Sequence, residues 1–225
     1  MSEVKNNPVL ITGAERSGST FIARILDMCG VFSGACNSMF ENTVIHSLHY
    51  EMLKNQDELF PITNKVIILH SWKDIVQEVM KEDGWYEDQK WMVKGSFLAQ
   101  YWPVWNYAFP DAKWVIVRRR TGDVIQSCIK TGFMKFFKNP DNLHLLGLDE
   151  EKDGWLWWIR QYENKFVEMI QEGLNCRVVW PDRMADGNFH QVEEMVEWLG
   201  LEWNEDIPEI ILPLFKSGGT KKWQE

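Results

Sequence analysis

The stretch Val9-Leu10-Ile11-Thr12-Gly13-Ala14-Glu15-Arg16-Ser17-Gly18-Ser19-Thr20-Phe21 decides the fold. Four apolar or β-branched residues make a short buried strand, and an amphipathic stretch from Thr20 to Cys29 makes the helix that follows. Between them a glycine-containing turn aims several backbone N–H groups into one concavity at the positive end of the helix dipole, which is an anion site. The spacing is that of a Walker A loop, G-x-x-x-x-G-K-[ST], except that Ser19 stands in place of the lysine. That lysine serves the β- and γ-phosphates of a nucleoside triphosphate, so its replacement disfavours ATP or GTP hydrolysis. A kinase or ATPase also wants an aspartate closing a second apolar strand to hold Mg²⁺. Here residues 66–69 run into His70 and residues 114–117 run into Arg118.

Outward from that loop, short apolar runs alternate with helical patterns. Strands are expected at 9–12, 66–69, 91–93, 114–117 and 177–180, apolar throughout as in strands covered on both faces. Ser38-Met39-Phe40-Glu41 reads as a capping box opening a helix to about Leu53, and an apolar stripe from Trp155 to Ile170 marks a long helix. The fold class is α/β: a three-layer α/β/α domain with a central, mostly parallel sheet of about 4–5 strands, spanning residues 1–225 as one domain. Residues 133–153 form the least regular stretch and are expected as an acceptor-side loop.

Composition narrows the function. The 225 residues carry a net charge of −9, which argues against nucleic-acid or anionic-membrane binding, both of which need a basic face. It also makes Arg118-Arg119-Arg120 informative, since positive charge is scarce elsewhere. The polar first seven residues are not a signal peptide, no apolar run spans a membrane, and the four cysteines form no C-x-x-C pair. A cytoplasmic protein with free thiols is expected. The 13 tryptophans invite a sugar-stacking role, but Trp102, Trp105, Trp155, Trp157 and Trp158 lie in helical patterns and read as core first.

The second basic segment completes the pattern. After the strand at 114–117 come Arg119, Asp123, Val124 and Ser127; an arginine fork at a strand end and a serine two helical turns later can grip one anion. Arg119 is expected to point into the site, with Arg118 and Arg120 directed elsewhere because neighbouring side chains on extended backbone diverge.

Together these two segments resemble the 3′-phosphoadenosine-5′-phosphosulfate (PAPS)-dependent sulfotransferases. Arg16-Ser17-Gly18-Ser19-Thr20-Phe21 fits that family's [K/R]-S-G-[ST]-[ST]-[W/F/L] signature, and Arg119 to Ser127 fits its R-x-x-x-D-V-x-x-S signature. The resemblance implies that Ser17, Gly18, Ser19 and Thr20 hold the 5′-phosphosulfate, that Phe21 stands near the adenine, and that Arg16 meets the transferring sulfonyl group. It implies that Arg119 and Ser127 hold the 3′-phosphate. A weaker match at 216–223 would place Lys216 and Gly218 in a lid over that phosphate, although Ser217 and Lys221 depart from the family's R-K-G-x-x-G-x-W. A frayed basic tail is the competing reading there.

Lys94 takes about the position of the lysine in the family's K-x-H element, but its histidine is Ser96 here. Serine is no general base near neutral pH, so another is needed. Glu41 is the first candidate, competing with its plain role in the capping box. His70, at an expected strand end, is the second; His46 and His49 read as surface or packing residues. No metal is required, and no Cys/His group has ligand spacing. The implied co-substrate is PAPS, the implied product 3′-phosphoadenosine-5′-phosphate (PAP), and the acceptor a small hydroxylated metabolite or carbohydrate. Two alternatives stay open: a P-loop kinase or NTPase, and a protein that binds PAPS or PAP without catalysis.

Overall fold

The structure is a computed structural model that describes residues 7–54, 68–132 and 135–216. The chain runs β1 (Val9–Thr12), α1 (Ser19–Met28), α2 (Thr43–Lys54), α3 (Trp72–Glu82), β2 (Met92–Lys94), α4 (Phe97–Gln100) and α5 (Trp102–Ala108). It continues with β3 (Lys113–Val117), α6 (Thr121–Thr131), α7 (Pro140–His144), α8 (Glu151–Gln171), β4 (Cys176–Val179), α9 (His190–Trp198) and α10 (Ile207–Lys216). The four strands among the described residues form one sheet in the order β2-β1-β3-β4 with every pair parallel.

Alternate side chains on the strands go to opposite faces, as the pleat requires. Leu10, Val93, Trp114 and Ile116 join one core with residues of α3, α5 and α8; Val9, Ile11, Met92, Val115, Val117 and Val179 join another with α1, α9 and α10. The sheet is therefore buried on both faces, and the layers are α/β/α. The first core holds the fully buried Trp72, Trp91, Trp105 and Trp114. Each buries roughly 200 Å² of largely apolar surface, worth about 5 kcal/mol as an upper estimate. Trp155 is also fully buried, while Trp102, Trp157 and Trp158 pack against core clusters, so these rings are framework, as their spacing suggested.

Two expectations are corrected. Of the strand expected at 66–69, only Ile68 and Leu69 lie within the described residues, and neither is in a strand; they lead into a turn before α3. Residues 135–153 are not an irregular loop. A 3₁₀ turn at Phe136–Lys138 and α7 pack Phe137 and Leu143 against Val124, Cys128, Trp155 and Ile159 in a small third core. Gly154 makes this possible, since a Cβ there would strike the Phe137 ring.

The topology also fixes where a ligand can sit. Strand β1 feeds α1 on one face, whereas β3 leads through α6 into α8, which packs on the other face. Connections leaving neighbouring strands in opposite directions open a crevice beyond their carboxyl ends. The loop 13–18 and Arg118–Arg120 both lie there. No helix among the described residues is long and apolar enough to cross a membrane.

Candidate active site

The loop after β1 is held by close backbone packing. A Cβ at Gly13 would stand 2.5 Å from both the Ser17 hydroxyl and the Val117 carbonyl oxygen, so only glycine lets the loop fold back beside the end of β3. Gly18 has φ 95° and caps α1, and Pro181 approaches from the β4 side to within 2.9 Å of where its Cβ would be. Arg16 adopts φ 63°, a left-handed conformation that a long side chain rarely takes. Ser17 is buried and its Oγ has no protein partner, an orphaned hydroxyl facing the loop's interior. The helix itself leaves the first-turn N–H groups of Ser19 and Thr20 without acceptors. The loop is thus a set of donors turned inward at the positive end of a helix.

The second segment closes on the first. Arg16 Nε donates to Ser127 Oγ at 3.0 Å across 111 residues of sequence, and Arg119 Nη1 lies 3.5 Å from the Arg16 carbonyl oxygen. Arg119 Nε is 3.0 Å from Asp182 Oδ1, an ion pair whose N–H is not aligned as a hydrogen bond. Burial lowers the pKa of Arg16, the Cys128 sulfur opposes that shift, and the neighbouring Arg119 charge adds to it. A guanidinium stays protonated under such pressure, so the pair concentrates positive charge in an otherwise acidic molecule. Arg118 instead forks onto Glu163 at 3.0 and 2.5 Å and lies 4.6 Å over the Trp180 ring, while Arg120 is exposed beside Asp123. Of the three arginines, Arg119 is the one turned to the loop.

Glu41 and Lys94 form the third part. The capping box expected at Ser38 does not form. Asn37 Oδ1 accepts from the backbone N–H of Met39 and Glu41, and Asn42 Oδ1 accepts from Val44 and Ile45, so Asn42 caps α2 and the helix starts at Thr43. Asn preempts serine here because its carbonyl reaches two N–H groups at once. Glu41 is thereby released from capping. Its Oε1 lies 2.9 Å from Lys94 Nζ, both side chains largely buried, and its Oε2 lies 3.5 Å from His46 Nε2. Lys94 ends β2 in register with Ile11, and the Thr20 hydroxyl donates to Met39 O at 3.5 Å, so the pair stands beside the 13–18 loop and the start of α1. Asp83 braces this turn: its Oδ2 accepts from Asn42 Nδ2 at 2.7 Å and from Ala35 N at 2.9 Å.

His70 does not join the site. It sits in the turn before α3, 2.7 Å from the Tyr107 hydroxyl. Tyr107 is on the last turn of α5, which enters β3 at its amino end, so His70 belongs to the opposite end of the sheet. Phe21 packs partly buried against the second core. Lys216 is the last residue of α10, but its side chain and Gly218 lie outside the described residues. No group of three His, Cys, Asp or Glu residues among the described ones is placed to hold a metal. Sequence reasoning missed Asp182, although a carboxylate just beyond a strand's carboxyl end, after Trp180-Pro181, was a signal of the same kind that pointed to Arg119.

A profile of the sulfotransferase family matches residues 8–205. No curated protein sequence matches the chain. Among solved structures, the chain is similar to the sulfotransferase domain from the curacin biosynthetic pathway, with 13% identity, a TM-score of 0.60, and coverage of 90% of this chain and 76% of that one. It is also similar to the sulfotransferase domain of the Synechococcus PCC 7002 olefin synthase, at 15% identity and TM-score 0.58, covering 100% of this chain and 90% of that one. For the sulfotransferase STF9 from Mycobacterium avium the values are 11% identity, TM-score 0.57, and 97% and 69% coverage. At such identities these likenesses establish the fold alone. The profile match spans the 13–18 loop, the 118–127 segment and all four strands, and by it the chain belongs to the sulfotransferase family.

Proposed function

We propose that this protein transfers a sulfonyl group from PAPS to a hydroxyl or amine of a small-molecule or carbohydrate acceptor. The observation that carries the proposal is the Arg16–Ser127 hydrogen bond with Arg119 at the Arg16 carbonyl, which joins two signatures over a hundred residues apart into one doubly basic crevice. The orphaned Ser17 hydroxyl, the unclaimed first-turn N–H groups and the two arginines suit a ligand with phosphate groups at both ends. Bound PAPS supplies a sulfonyl group on a phosphosulfate anhydride, whose bridging S–O bond breaks as the acceptor oxygen or nitrogen bonds to sulfur.

The chain's own residues divide the remaining work. Arg16 and the N–H groups of Ser19 and Thr20 bind the 5′ end and hold the negative charge that develops there. Arg119 offers its fork to the 3′-phosphate. Ser127 accepts from Arg16 and still has its own O–H to donate to the same anion. Glu41 removes the acceptor proton, and Lys94 fixes the carboxylate's orientation. Replacement of the Walker lysine by Ser19 counts against the triphosphate alternative.

The test is turnover. Purified protein is incubated with PAPS and a panel of alcohols, phenols, amines and sugars without Mg²⁺, and PAP release is followed. Acceptor-dependent PAP release, lost in Arg16→Ala, supports the proposal. PAP binding with no release for any acceptor would favour a non-catalytic binding protein.

A further inference from the structure

Glu15 has no part in the roles assigned so far, yet both oxygens of its carboxylate are hydrogen-bonded by side chains of α8. Its Oε2 accepts from Trp158 Nε1 at 2.6 Å and its Oε1 from the Tyr162 hydroxyl at 3.0 Å. The two donors lie four residues apart, on one face of α8. Tyr162 is fully buried, and its one hydroxyl proton goes to Glu15, while Gln100 Nε2 donates to its oxygen at 3.0 Å. Ser96 is the residue that stands where the K-x-H histidine is expected. Here its carbonyl oxygen accepts from the Thr12 hydroxyl at 3.4 Å, at the end of β1.

The next residue, Arg16, is the one in the left-handed region, at φ 63°. A non-glycine residue stays in such a conformation only where its surroundings over-determine it. On the far side Arg16 is held by Ser127; on the near side the restraint is the Glu15 carboxylate fastened to α8. Helices α1 and α8 pack on opposite faces of the sheet, so this clamp ties the loop that opens α1 to the helix layer across from it.

We propose that Glu15 is a positioning residue: fastened by Trp158 and Tyr162, it presets the phosphate loop, and through it Arg16, for the anionic donor. The proposal rests on the nucleotide-site reading above for its ligand but not for its geometry. A preset loop binds its anion without first ordering its own backbone. Loosening the clamp therefore weakens nucleotide binding while touching no group that contacts the nucleotide.

The test combines PAP calorimetry with hydrogen exchange of the amides of residues 13–20, in the full chain and in Glu15→Ala, Glu15→Gln, Trp158→Phe, Tyr162→Phe and Glu15→Ala/Tyr162→Phe. Glu15→Ala is expected to weaken PAP binding by about tenfold and to speed exchange in the loop. Glu15→Gln keeps an acceptor oxygen and falls between, and it serves as the working variant should the alanine protein not fold. The decisive comparison is a double-mutant cycle: Tyr162→Phe weakens binding by about threefold in the wild-type background and by less than about 1.5-fold once Glu15 is gone. A general packing defect at Tyr162 would cost the same in both backgrounds, and that result overturns the proposal. So does a Glu15→Ala protein with unchanged affinity and unchanged exchange. Absence of PAP binding by the wild-type protein would instead strike at the nucleotide reading, and loop exchange in Glu15→Ala would still decide the role of Glu15.

Discussion

Arg119→Ala tests the proposed division of the crevice into a 5′ and a 3′ phosphate site. Arg119 sits at the end of β3 with about a third of its side chain exposed, its Nη1 3.5 Å from the Arg16 carbonyl and its Nε beside Asp182. If its fork holds the 3′-phosphate, truncation removes charge-assisted hydrogen bonds worth about 1.5–3 kcal/mol, a loss of roughly 10- to 150-fold in PAP affinity. AMP carries no 3′-phosphate, so its binding should change by less than about 0.5 kcal/mol. The substitution also strands Asp182, whose Oδ2 is buried without a hydrogen bond. The Arg119–Asp182 pair is partly open to solvent, so its loss should cost no more than about 1 kcal/mol, or about 2–4 °C in Tm. Arg119→Lys keeps the charge without the fork and should recover part of the PAP affinity. The assay is calorimetry with PAP and AMP on all three proteins, at a temperature well below the lower Tm. Equal losses for PAP and AMP would refute the assignment, because they would show Arg119 serving the loop rather than the 3′-phosphate.

Glu41→Gln keeps an oxygen for Lys94 but removes the proposed base, so kcat should fall by about 10²- to 10⁴-fold while PAP affinity stays within about threefold; a matching loss of both would make Glu41 structural. Gly13→Ala puts a methyl 2.5 Å from the Val117 carbonyl, backbone that moves only at a cost. It should destabilise the fold by about 1–3 kcal/mol in urea unfolding and weaken PAP binding as well. His49 is buried, accepts from Trp105 Nε1 at 3.1 Å, and burial, aided by the His46 charge, pushes its pKa down to about 3. The unfolded chain therefore binds a proton that the folded one refuses, and stability is full above about pH 6.5 and lost as pH falls toward 3. The urea midpoint should drop between pH 7.5 and 5 in the wild-type protein, with a smaller drop in His49→Gln.

What the sequence disclosed and what it hid follow from range. Strands β1, β2, β3 and β4 and the loop at 13–18 were legible, to within a residue at the strand ends, because each is a local pattern: an apolar run, a glycine turn, a helical period. That Arg16 and Ser127 share a site was implied only by the resemblance carried by two separate motifs, and their direct hydrogen bond was not legible in the sequence. Ser38 was mistaken for a cap because Asn37 and Asn42, either of which can satisfy two N–H groups, stood within five residues of it, and pattern alone does not rank them. Residues 133–153 looked irregular because their apolar side chains, Phe137 and Leu143, have partners on α6 and α8 that only the tertiary fold supplies. The same holds for Glu15: Trp158 and Tyr162 fit the apolar stripe of a helix, and nothing in that stripe reveals that their polar atoms turn to one carboxylate.

The measurement closest to the central claim is calorimetry of the wild-type protein with PAP, AMP and ATP in the absence of Mg²⁺. Two phosphate sites joined in one crevice predict micromolar or tighter binding of PAP, with AMP and ATP weaker by about tenfold or more. Equal affinity for PAP and AMP, or preference for ATP, would contradict the account and leave the crevice to a different nucleotide.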